Sequence, residues 1–135
     1  MTEIIIPDSV IQLYSSGYGA NYSPFYECSN LTTVILGNGI VSISEDLFSN
    51  CTKLTTVTIG NSVTNIGNST FSGCTGLTEI IIPNSVTTIN NHVFQGCTGL
   101  TEINIPNSVT SIGNNAFYGC TGLTEITIPD SIEII

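Results

Sequence analysis

Five cysteines, Cys28, Cys51, Cys74, Cys97 and Cys120, recur every 23 residues, and each follows a phenylalanine by three, Phe25, Phe48, Phe71, Phe94 and Phe117. Thiols pair as disulfides, ligate metals or act as nucleophiles. A disulfide framework normally shows an even count and uneven spacings, and a zinc site wants paired Cys-x-x-Cys ligands. The sequence has neither. Units stacked at a strand spacing of about 4.8 Å would bring successive cysteines into disulfide range, yet side chains pointing the same way rarely reach the required dihedral. The thiols are expected as buried, unpaired core residues, with disulfides as the alternative, and no metal or other cofactor is expected.

The remaining chemically capable residues are few. Glu79, Glu102 and Glu125 occupy one register, with Glu3 its counterpart near the start. Acid–base catalysis needs carboxylates whose surroundings push their pKa values apart, and equivalent positions of a repeat give equivalent surroundings. His92 stands where other copies have Asp46, Ser69 and Asn115, and an exposed loop residue is expected there. There is no arginine, phosphate loop or nucleophile elbow. No catalytic residue is expected, and the chain is read as not an enzyme.

What positions all of these residues is an internal repeat. Residues 77–99, LTEIIIPNSVTTINNHVFQGCTG, are rewritten as 100–122, LTEINIPNSVTSIGNNAFYGCTG, and residues 31–53 and 54–76 keep the same apolar skeleton. Ile80 and Ile82 alternate with Glu79 and Ile81, the period of a short strand buried on one side. Pro83-Asn84-Ser85, or its equivalent, then interrupts each unit, and β-branched residues dominate, which argues against helix. One unit cannot bury its own apolar side, whereas stacked units place each Ile, Val, Phe and Cys over its counterpart. The turn carries Gly37 and Gly60 in two units and Pro in the others, read as equivalent ways to change direction. Asx residues beside it, Asp8, Asn38, Asn61, Asn84, Asn107 and Asp130, are placed to bond backbone N–H groups.

The first and last units depart from the pattern. Residues 1–30 carry a seven-residue insertion rich in turn formers and tyrosine; Tyr14, Tyr18, Tyr22 and Tyr26 are candidate end contacts, as a cap over the first coil or as a subunit surface. Residues 123–135 form a half-unit ending on Ile132, Ile134 and Ile135, further candidates for end contacts. No basic leader segment precedes the repeat, so no signal peptide is expected in this stretch; the chain stays inside or is part of a longer secreted protein.

Net charge and the apolar runs exclude several partners. At 135 residues the chain has the length of one domain. Its net charge is −9 and Lys53 is its sole lysine, so nothing neutralises phosphates, and neither nucleic acid nor an anionic membrane surface is an expected partner. Polar residues break every apolar run well short of the roughly 18 residues a membrane span requires.

The units resemble the BspA-like, Treponema-type leucine-rich repeats, whose motif L-x-x-I-x-I/L-P-x-S-V-x-x-I-G-x-x-A-F-x-x-C is matched throughout by residues 100–120. Departures are the glycine turns, Thr70 and Val93 where alanine is usual, and the tyrosine insertion. The resemblance implies a β-rich, right-handed solenoid of 23-residue coils with a parallel sheet on its concave face. It also implies surface or secreted proteins used for adhesion and protein contacts, without catalysis. The strand positions facing outward would then meet a protein or glycan partner: Glu3, Ile5, Thr33, Ile35, Thr56, Thr58, Glu79, Ile81, Glu102, Asn104, Glu125 and Thr127. Stacking of the coil ends into a filament is the alternative.

Overall fold

Glu3, Ile4 and Ile5 open the first strand, and the computed structural model, which describes residues 1–13 and 23–135, pairs it in parallel with the next copy. β1 (Glu3–Ile6), β2 (Thr33–Leu36) and β4 (Thr56–Thr58) form one parallel sheet. β3 (Ser42–Ile43), β5 (Asn65–Ile66), β6 (Thr88–Ile89) and β7 (Ser111–Ile112) form a second. Thr33 pairs with Thr56, 23 positions on in the sequence. Glu3 pairs with Thr33, a step longer by seven residues, the length of the insertion between them. No helix among the described residues is long and apolar enough to cross a membrane.

The inward strand residues Ile4, Val34, Val57 and Ile80 are buried, as are Ile43, Ile66, Ile89 and Ile112 of the second ladder. Between the ladders runs an aromatic spine. Phe25, Phe48, Phe71, Phe94 and Phe117 stack with centroids 5.5–5.8 Å apart and nearly parallel rings. Large aromatics bring the most buried apolar area per residue, and the repeat delivers one to each coil.

A third ladder backs the spine. The N–H groups of Ser69, Phe71 and Gly73 donate to the carbonyls of Asn91, Val93 and Gln95 in the next coil at 2.9, 3.0 and 2.7 Å. Asp46, Phe48 and Asn50 do the same toward Asn68, Thr70 and Ser72, and His92, Phe94 and Gly96 toward Asn114, Ala116 and Tyr118. Phe48, Phe71, Phe94 and Phe117 each lie between two residues of positive φ, and Phe25 is followed by one. One column is Asp46, Ser69, His92 and Asn115; the other is Glu27, Asn50, Gly73, Gly96 and Gly119. The second column becomes glycine where it can, because only glycine adopts that conformation without cost.

Candidate binding face

Every strand residue expected to face outward does so. Glu3, Thr56, Thr58, Glu79, Glu102, Asn104, Glu125 and Thr127 are exposed, Thr33 and Ile35 half-exposed, Ile5 60% and Ile81 81% exposed. Strand alternation puts them on one side. The threonine row beside them is bonded as well as exposed: Thr32 Oγ1 donates to the Thr2 carbonyl at 2.9 Å, Thr55 Oγ1 to Thr32 and Thr101 Oγ1 to Thr78, both at 3.2 Å. At the turn the Asn38 N–H donates to Asp8 Oδ1 at 2.6 Å and the Asn61 N–H to Asn38 Oδ1 at 2.8 Å.

These bonds do not run the length of the face. On the first-strand face, between residues 55–61 and residues 78–84, the described residues include no strand pairing, no threonine hydroxyl bond and no asparagine turn bond, although the second ladder of the same two coils keeps all three. Further on, one isolated bridge joins Ile81 to Asn104, supported by the Thr101 N–H on the Thr78 carbonyl at 3.0 Å. The expected strand over residues 80–82 and its equivalent one coil later are therefore not continuous with the sheet. Behind them nothing has parted: Thr87 N–H still reaches the Thr64 carbonyl at 2.9 Å, and Phe71 still stacks on Phe94 at 5.8 Å. The coils open on the strand side and stay closed at the spine.

The turn residue accounts for the change, and here glycine and proline are not equivalent. Gly37 donates its N–H to the Ile6 carbonyl at 2.8 Å, a bond that Pro83, Pro106 and Pro129 cannot make. Space is the larger factor. A Cβ on Gly37 would lie 2.7 Å from the Ile6 carbonyl oxygen, and one on Gly60 2.3 Å from that of Gly37, closer than packed atoms approach. Glycine lets the coils close, and a proline ring at that spacing collides with the coil before it. Both junctions whose later coil turns on glycine are paired as sheet, even where the earlier coil turns on Pro7, and none of the three whose later coil turns on proline is.

Where the strands separate, the face is grooved. One groove of about 490 Å³ is lined by Val57, Thr58 and Ile59 on one side and Ile81, Ile82 and Pro83 on the other. Past Ile81 a second, of about 440 Å³, lies between Glu79 and Glu102 and reaches Thr127.

The thiols are unpaired and buried, Cys28 half-buried, and they do more than fill space. Cys51, Cys74 and Cys97 each donate an S–H to the carbonyl of the phenylalanine 26 residues earlier at 3.2 Å, and Cys120 does so at 3.0 Å. Burial pushes the Cys51 thiol up to about 11 and the Cys97 thiol up to about 12. Burial and a raised pKa disfavour the thiolate that a nucleophile needs at Cys51 and Cys97. Thr70, where alanine is usual, is buried and directs its hydroxyl at the Gly67 carbonyl at 2.8 Å and that of Ser44 at 3.1 Å. Among the described residues no group of three or more His, Cys, Asp or Glu side chains could hold a metal ion.

His92 corrects the sequence reading. It is half-buried with φ at 59°, and its Nδ1 pairs with Gln95 Oε1 at 2.7 Å, so it belongs to the ladder behind the phenylalanines and is not an exposed loop residue. Asp46 of the same column has its carboxyl pushed up by burial and, second, by Glu45. Of the tyrosines, Tyr14, Tyr18 and Tyr22 lie outside the described residues. Tyr26 is half-buried and accepts a bond from Asn50 Nδ2 at 3.2 Å. Ile132 packs partly against the core, while Ile134 and Ile135 are 65% and 79% exposed.

Residues 19–135 match a family model described as a BspA type leucine rich repeat region, in six copies. Among solved structures, a leucine-rich repeat protein from Bacteroides ovatus is similar at 35% identity and a TM-score of 0.80, over 99% of this chain and 42% of that one. A leucine rich cell surface protein from Faecalibacterium prausnitzii is similar at 32% identity and 0.84, over 97% and 33%. The leucine-rich repeat protein of T. pallidum is similar at 28% and 0.77, over 95% and 52%. The chain thus spans about half, or less, of each of these proteins. No curated protein matches it.

Proposed function

The chain belongs to the BspA-type leucine-rich-repeat family, and on that premise we propose that it is a non-catalytic module that binds a partner protein through the first-strand face, in a cell-surface setting. The observation that carries this reading is the face itself. A residue as apolar as Ile81 stands 81% exposed there, among positions that vary from coil to coil between Glu, Thr, Asn and Ile while the inward strand positions stay Ile, Leu or Val. Exposed apolar groups ringed by polar ones mark contact surfaces. The setting is supported by the F. prausnitzii relative, which is described as a cell surface protein. Glycan binding gains less support, because the face has no aromatic residue for a sugar ring to stack on.

The test is site-specific photocrosslinking. A photoreactive side chain is placed at Ile81, or at Thr87 in the coil's second ladder, and each protein is exposed to cell-surface protein fractions. Discrete crosslinked species from position 81 alone support the strand face, and equal yields from both positions overturn it. The mass of the free protein against concentration reads self-association through the coil ends: growth into long polymers would replace partner binding with assembly as the function.

A further inference from the structure

We propose that the opening between the coil of residues 54–76 and that of residues 77–99 is a docking slot for an extended, cationic segment of a partner protein. This rests on the strand-face reading above and narrows it to one place and one chemistry.

The slot is the first of the proline-turn junctions, where the closed strand side of the stack gives way to an open one. On the strand side the pairing, the threonine bonds and the asparagine bonds all stop at this junction, whereas the ladders behind it continue without a gap. Strand backbone without a strand neighbour presents N–H and C=O groups in the geometry that an extended segment satisfies. Proline keeps the slot from closing, since Pro83 offers no N–H and carries ring atoms at the position equivalent to Gly60, where in the closed junction one coil earlier a single added carbon would meet the Gly37 carbonyl at 2.3 Å. The groove of about 490 Å³ falls within the usual range for ligand sites. Val57, Ile59 and Ile82 give it an apolar floor, and exposed Ile81 stands at its rim.

Charge selects the occupant. Glu79 lies across the same opening from Thr55 and Thr56, beside the larger groove, and Glu102 and Glu125 continue the row in the next two coils. The lone lysine, Lys53, donates to Asn30 in the preceding coil. The row has no cation of its own, so a basic segment relieves its repulsion and an acidic one adds to it.

The probe is a short labelled peptide alternating lysine and valine, with its glutamate–valine counterpart as control, and binding is read by fluorescence anisotropy. The lysine peptide is expected to bind and to weaken at least about tenfold between roughly 0.05 and 0.5 M salt; the glutamate peptide is not. Pro83→Gly, which copies the turns at Gly37 and Gly60, is expected to slow hydrogen exchange at residues 57–59 and 80–82 and to weaken the lysine peptide by about tenfold or more. The triple variant Glu79→Gln, Glu102→Gln, Glu125→Gln is expected to weaken it similarly with exchange unchanged. Failure of the native chain to bind the lysine peptide overturns the slot, as does Pro83→Gly exchange that stays fast. If Pro83→Gly gains protection yet binds as before, while the glutamine variant loses binding, the slot is wrong and the strand face stands. If crosslinking from position 81 also fails, both readings fall.

Discussion

The junctions closed by a glycine turn in the later coil and those that meet a proline there share one spine and differ on one face. In the first group β1, β2 and β4 pair as a sheet, threonine hydroxyls bond from coil to coil, and Asp8, Asn38 and Asn61 chain the turns together. In the second the strands of residues 80–82 and 103–105 share one bridge, and the face is grooved. Phenylalanine stacking and the backbone ladder behind it pass through both groups unchanged. A repeat protein can therefore keep its core constant and adjust its surface with a single turn residue. The lesson is that coil spacing on the two sides of the stack is set by different residues.

The most severe way to break the comparison is to cut the spine on which both groups depend. Phe71 is fully buried between Phe48 and Phe94. Phe71→Ala leaves a cavity in the middle of the stack and is expected to cost about 3–5 kcal/mol, read as a fall in the urea midpoint. A cost below about 1 kcal/mol would mean that the backbone ladders, and not the rings, hold the coils together.

Converting a closed junction into an open one is the next largest effect. Gly60→Pro places ring atoms where a single carbon already lies 2.3 Å from the Gly37 carbonyl oxygen. It is expected to destabilise by about 1–3 kcal/mol and to speed hydrogen exchange in β2 and β4 while leaving β3 and β5 protected. Equal loss of protection in both sheets would show that the turn acts on the whole coil and that the two sides are not separable.

The thiols sharpen the comparison because they lie on the shared side. Unfolded cysteine releases its proton near 9, whereas folded Cys97 holds it to about 12 and Cys51 to about 11, each through burial first. Between those values the folded chain binds more protons than the unfolded one. Their contribution is fully present below pH 9 and is lost as pH rises toward the folded values, by at most about 1.4 kcal/mol per pH unit for a well-buried thiol. Cys97→Ala is expected to flatten the alkaline fall in the urea midpoint, and Gly60→Pro to leave its slope unchanged. A steeper slope in Gly60→Pro would place the opened junction in contact with the thiols.

The sequence displayed the spine and the outward face in full, because both are columns of one residue type read down identical units. Phe71 over Phe94 and Glu79 over Glu102 follow from period alone. What it did not display depends on atoms of a neighbouring coil. Gly37 and Pro83 look interchangeable within a unit, and only the distance to the preceding carbonyl separates them. The cysteine bond to the phenylalanine carbonyl spans 26 residues and thus two coils, so one motif cannot contain it. His92 departs from the sequence expectation for a subtler reason. Its column, Asp46, Ser69, His92 and Asn115, appears merely variable, but it excludes every β-branched residue that a positive φ would penalise, and that exclusion was the available signal.

The smallest expected effect bears most directly on what the open coils are for. Glu102 lies between Glu79 and Glu125 on the exposed strand face, and like charges stacked one coil apart repel by roughly a few tenths of a kcal/mol. Glu102→Gln should therefore raise the urea midpoint slightly at low salt and leave it unchanged at high salt, where the repulsion is screened. The same substitution at Glu3, whose sheet neighbour is Thr33, removes no such repulsion and is expected to stabilise nothing. If Glu102→Gln stabilises the chain while weakening the basic peptide, the acidic row is a strain carried for contact with a partner. If it stabilises nothing at any salt concentration, the opening of the strands has already separated the carboxylates, and the groove, not the charge, distinguishes the proline-turned coils.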